Sequence, residues 1–231
     1  MIAKLQLHML GAVGALCLGL TACSGKGGAS GETSGEAASE DKGGQAAALT
    51  LADGPDVCFR AIVRHLGENT RVSEIDSFFS AGSEIDSTDT KPRGTMTYCS
   101  VQYQNPDDPR KLLDIRLDIA SGQFSSPRPV EITVAGNAAA FRLEDYLIPL
   151  SSVNAAALTA IMDAQKDKLG TVYGKHAWTG VRLETPGAFS NRHRLRLDVK
   201  GRLAANDIQE SGYAIITTDG KTIESDYLMP R

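Results

Sequence analysis

The chain has 231 residues, of which 42% are hydrophobic and 23% charged, the proportions of an ordinary globular protein. Its formal net charge of -4 leaves no overall basic field, which excludes nucleic acid as a partner on charge grounds. The length suits one medium domain or two small ones once processed ends are removed.

Residues 1–22 form the first element. Lys4 supplies an early cation, and an apolar run follows from Met9 to Leu20. The run is shorter than the roughly 20 apolar residues a membrane span needs, so it reads as a secretory signal. It ends in Leu20-Thr21-Ala22-Cys23. This resembles the lipobox of bacterial lipoproteins, in which a hydrophobic residue and two small ones precede cysteine. The resemblance covers Met1 to Cys23 and implies cleavage before Cys23. The Cys23 thiol then takes a diacylglycerol, and the new amine takes an acyl chain such as palmitate. A thiol is the natural nucleophile for that alkyl transfer. Each buried methylene contributes about 0.8 kcal/mol, so several chains make a durable anchor. Ser24, where aspartate would favour inner-membrane retention, resembles the outer-membrane sorting class. The expectation is a lipid anchor in the outer membrane, with the domain facing the periplasm.

Residues 23–54 are the lipidated cysteine and a tether. The stretch is rich in Gly, Ser, Ala and Glu and has no large apolar residue before Leu49 and Leu51. Such a composition buries too little surface to offset chain entropy. Ser39 and Lys42 make an S-x-x-K spacing here, which carries no catalytic meaning in a tether.

The folded part is expected over 55–231. Cys17 leaves with the signal, so Cys58 and Cys99 remain in an oxidising compartment and are expected to pair as a disulfide. The alternative, metal ligation, lacks a CxxC or HxxxH spacing to support it. "PDVCFRAIVRHLG" reads as a helix with Cys58, Ile62 and Leu66 on one face. "RVSEIDSFFSAG" fits a helical stripe of Val72, Ile75, Phe78 and Phe79 better than strict alternation. "SEIDSTDTKPRG" is a loop whose Asp86 and Asp89 lack the spacing of a calcium loop. Strands are expected in "TMTYCSVQYQ", "KLLDIRLDIASGQF", "PVEITVAG" and "FRLEDYLIPL". "SSVNAAALTAIMDAQKDKLG" is the clearest helix, capped by Ser152 or Asn154 and stopped at Gly170. Strands resume in "TVYGKHAWTGVRLE", "HRLRLDVKGRLA" and "GYAIITTDGKTI", the last with an Asp219-Gly220 hairpin turn.

The two halves, 55–150 and 151–231, invite comparison as tandem helix-plus-strands repeats. Asp145-Tyr146-Leu147-Ile148-Pro149 matches Asp226-Tyr227-Leu228-Met229-Pro230. Residues 115–119 match 195–199, and Tyr98 and Val101 match Trp178 and Val181. The expected class is therefore α+β, antiparallel sheets with packed helices.

No zinc, Walker, dinucleotide or nucleophile-elbow motif occurs, so the reading is non-enzymatic, with no catalytic residues, metal or cofactor. The binding candidates are Trp178 and His176 in "GKHAWTG", and Arg192 and Arg194 in "NRHRLR". Tryptophan and arginine are enriched at binding hot spots. The same residues have plainer roles, Trp178 as core and the arginines as a solvated strand face. The expected function is binding of a protein partner in the cell envelope, as an inhibitor or immunity protein or an assembly accessory. The alternative is a sensor of small molecules or cell-wall fragments, with a pocket of Trp178, Tyr98 and Tyr103 between sheet and helix.

Overall fold

The structure, a computed structural model, describes residues 49–134, 137–187 and 190–230. The signal, Cys17, Cys23, Ser24, the Ser39/Lys42 spacing and residues 23–48 of the tether lie outside these. No described helix is long and apolar enough to cross a membrane.

Among the described residues, two α-helices and nine strands make up the frame. Helix α1 spans Val57–Leu66 and buries Val57, Cys58, Phe59, Ala61 and Ile62. Gly67, at φ 89°, ends it with its N–H on the Val63 carbonyl. Strands β1 (Arg71–Phe79), β2 (Met96–Gln104), β3 (Leu112–Arg116) and β4 (Arg128–Val130) follow. After a short β5 (Ile148–Pro149) come helix α2 (Leu158–Val172) and strands β6 (Tyr173–Glu184), β7 (Arg194–Leu203), β8 (Gln209–Ile216) and β9 (Ile223–Tyr227). All pair antiparallel in the order β4-β3-β2-β1-β6-β7-β8-β9, with β5 beside the start of β1. An α+β class with packed helices is what the sequence led one to expect.

One expectation fails instructively. Residues 71–79 are strand β1, not a helical stripe. The register against β2 slips between Val72 and Glu74. That bulge absorbs one residue, so Val72 and Ile75 both face the core. A spacing of three inside a strand imitates helical periodicity.

Smaller corrections follow the same logic. "FRLEDYLIPL" forms a 3-10 turn over Leu143–Tyr146 and only two residues of strand. "PVEITVAG" contributes only its first residues to a strand, the three-residue β4. Asn154 does cap the second helical region, accepting the Ala157 N–H at 3.3 Å. Gly170 does not stop α2, which runs to Val172 and passes directly into β6. The Asp219-Gly220 turn is present between β8 and β9, with Gly220 at φ 72°.

The residues matched between halves fall at unequal places in the sheet. They set β2 against β6 and β3 against β7, whereas each helix is followed first by β1 or β6. The two D-Y-L-x-P stretches differ as well, one in a 3-10 turn and β5, the other ending β9.

Both helices pack on one face of the sheet. Leu158, Ile161 and Leu169 of α2 and the buried residues of α1 join one cluster with Ile75, Val101, Val181, Leu197 and Ala214. A disulfide joins Cys58 of α1 to Cys99 of β2, with a Cα–Cα distance of 5.7 Å. Closing that loop stabilises the fold by about 4 kcal/mol on the chain-entropy model. Leu49 and Leu51 pack on the same cluster, and Thr50 bridges Thr95.

Among the described residues the opposite face carries no α-helix, only two partial covers. At one end the β1–β2 connection lays Ala81 and Ile85 on Ala177, while Asp86 takes the Lys200 ammonium at 2.8 Å. At the other, Phe141, Leu143 and Leu147 pack on Leu112. His193 ties that strap down, its Nε2 3.1 Å from the Tyr146 carbonyl.

Candidate functional site

The expected binding residues separate into two places. Trp178 and His176 lie on β6 and line a groove of about 540 Å³ between β6 and α2, together with Met162 and Lys166. Arg192 and Arg194 sit at the far end of the β6–β7 hairpin, because Glu184 pairs with Arg194 while His176 pairs with Gly201. Arg192 bonds Glu224 of β9, and Arg194 lies 3.8 Å from Glu184. Trp178 packs against the core cluster and also lines the groove. The trio of Trp178, Tyr98 and Tyr103 does not form one pocket. Tyr103 is in the core, whereas Tyr98 lies against a tilted Phe78 ring, with Arg116 over the Tyr98 ring, on the helix-free face. The alternation of β2 separates them.

That helix-free face holds groups the sequence reading missed. Register places Tyr98, Phe78, Gly180, Asp198, Tyr213 and Tyr227 opposite one another in succession across β2, β1, β6, β7, β8 and β9. At roughly 4.8 Å between strands the row extends about 24 Å. Guanidinium groups flank its rings. Arg116 lies 4.3 Å from the Tyr98 centroid, Arg182 5.6 Å from Phe78 and Arg196 3.8 Å from Tyr213.

Asp198 organises the centre. Arg182 Nε donates to it at 3.0 Å and Arg196 Nε at 2.8 Å. Gly180 makes this possible, since a Cβ there would stand 2.5 Å from Asp198 Oδ2. Phe78, Thr179, Ser211 and Tyr213 border a recess of about 430 Å³ over this carboxylate. Two guanidiniums held by one carboxylate and stacked on rings are fixed in place, which lowers the entropy lost on docking.

A second feature borders the strap. Glu74 faces Gln102 in register, and Gln102 faces Asp114. Gln102 is 7% exposed, and its Oε1 has no hydrogen-bond partner among the described residues. Burial pushes the Glu74 carboxyl up to about 7, helped by Asp76, with Arg182 opposing. Burial also raises Asp76. A protonated Glu74 supplies the kind of donor the Gln102 oxygen lacks. His193 is held below its ordinary value by burial.

These groups are suited to recognition. Aromatic and arginine side chains on a rigid sheet give contact area and directed donors. Among the described residues no three His, Cys, Asp or Glu come together to hold a metal. Phe78 and Tyr98, or Tyr213 and Tyr227, are neighbours only through strand register, so no local motif marks them. Comparison with protein-family models, curated proteins and solved structures finds no match.

Proposed function

We propose that this protein is a bacterial envelope lipoprotein, lipidated on Cys23 and anchored in the outer membrane, whose periplasmic domain docks a protein partner without catalysis. The observation that carries the docking role is the row of aromatic rings and stacked guanidiniums across the helix-free face. The lipobox-like Leu20-Thr21-Ala22-Cys23 supports the anchor. An inhibitor or immunity protein against an envelope hydrolase, or an assembly accessory, are the concrete forms of this role. The reading needs no cofactor and no nucleic acid. The tandem-repeat reading is kept at the level of architecture, supported by a helix followed by a four-strand meander in each half.

The test is affinity capture with the full-length lipoprotein from its own envelope, alongside Arg196→Glu, Tyr213→Ala and Lys166→Glu variants. A stoichiometric partner lost with the first two and kept with Lys166→Glu supports the role. Capture indifferent to Arg196 and Tyr213 overturns it. Labelled palmitate should enter the wild type and not Cys23→Ala. The alternative, a sensor of small molecules or cell-wall fragments, draws support from the groove between α2 and β6.

A further inference from the structure

The groove on the helical side of β6 has a chemistry of its own. Its apolar surface comes from Leu51, Met162 and Trp178, and its volume of about 540 Å³ falls within the range of small-ligand sites. The polar lining is lopsided. Arg93, Lys166, Lys175 and His176 stand against a single carboxylate, Asp163. The cations come from three separate elements, the β1–β2 connection, α2 and β6, so the arrangement is a property of the fold and not of a basic run.

The cations are weakly neutralised from within. Lys175 reaches Glu84 of the β1–β2 connection at 3.6 Å, an exposed pair of small worth. Arg93 donates to the His176 backbone carbonyl at 3.4 Å. Lys166 makes no ion pair among the described residues. The half-buried His176 imidazole is held below its ordinary value by burial first, then by Arg93 and Lys166.

We propose that this groove binds a short free acidic peptide, its carboxylates received by Arg93, Lys166 and Lys175 and an apolar portion laid against Trp178. This stands apart from partner docking on the helix-free face and deepens the alternative reading of a fragment sensor. Linkage sets its signature. A bound carboxylate offsets the cations facing His176, so the imidazole becomes easier to protonate. By reciprocity the peptide binds more tightly as pH falls through that titration. The acidic groups at the site are Asp163 in its lining and Glu84 beside Lys175.

The experiment is calorimetric titration of the full chain with tetraglutamate peptide, with the His176 ring resonance followed by NMR across pH. Expected results are saturable binding that weakens with salt, an upward shift of the His176 titration, and about a tenfold loss of affinity in Lys166→Glu. Lys166→Gln, a milder change at an exposed position, should fall between, and Trp178→Phe should retain binding better than Trp178→Ala. Arg196→Glu, on the other face, should bind the peptide as the wild type does, which separates this proposal from the docking surface. No saturable binding at millimolar peptide overturns the proposal. So does equal binding of tetralysine, or a His176 titration unmoved at saturation.

Discussion

The two faces of the sheet solve opposite problems with the same strands. The helical face is apolar and stapled by a disulfide. It buries Ile75, Leu183, Leu195 and Leu197 to 0% exposure. The other face carries Glu74, Asp76, Arg182, Arg196 and Asp198, satisfied mostly by one another. Stability concentrates on the first, and the proposed partner docking on the second. Polar groups on a sheet can be held rigid without burial under a helix, provided they neutralise each other across strands.

Substitutions test that division. On the helical face, Leu197→Ala should cost about 3 kcal/mol in urea unfolding, since it leaves a cavity beneath both helices. Replacing Cys58 and Cys99 together by serine should cost about 2–4 kcal/mol against the oxidised wild type and little against the reduced one, which isolates the cross-link. On the other face the largest effect is pH-dependent. Glu74 holds its proton to about pH 7 in the fold and to 4.5 in the unfolded chain. The folded state then binds more protons between those values, so its contribution is present at low pH and is lost as pH rises toward 7. Glu74→Gln should therefore be more stable than wild type at pH 8 by about 1–3 kcal/mol and close to it at pH 4. Equal pH profiles would show that Glu74 is ionised and solvated in the fold. Gly180→Ala should cost about 1–2 kcal/mol by pushing Asp198 away from its arginines. Tyr213→Ala should cost least in stability, about 1 kcal/mol, while removing partner capture. A large stability loss there would dissolve the contrast between the faces.

The sequence carried some of this and not the rest, for definite reasons. The disulfide was legible from the cysteine count, once the expected signal and lipobox set Cys17 and Cys23 aside. Strand β7 was legible because it alternates against a single buried face, and β6 and β8 because enough of each keeps that alternation. Strand β1 was hidden by its bulge at Ser73, and the Leu143–Tyr146 turn by apolar residues that pack on Leu112 of the helix-free face. Trp178 and His176 were singled out as residues, but their groove depends on Met162 and Lys166 of α2 and on Arg93, remote in sequence. The arginine–aromatic row was beyond reach, because Arg196 meets Tyr213 and Arg182 meets Phe78 only after register is set. Arg192 and Arg194 drew attention by density, yet each is engaged by a glutamate.

Apart from the short β5, the sheet's neighbours are all consecutive in the chain except at one seam, where β1 meets β6. There Ile75 pairs with Leu183 and Phe78 with Gly180. These partners lie about a hundred residues apart, so closing the seam carries the largest loop entropy in the sheet. Each meander can form from local contacts, and the seam must wait for both. In kinetic terms the expectation is two quick hairpin stacks and one slow joint. Substitutions at Ile75 or Val181 should slow refolding, whereas those in the β7–β8 hairpin should show mainly as faster unfolding.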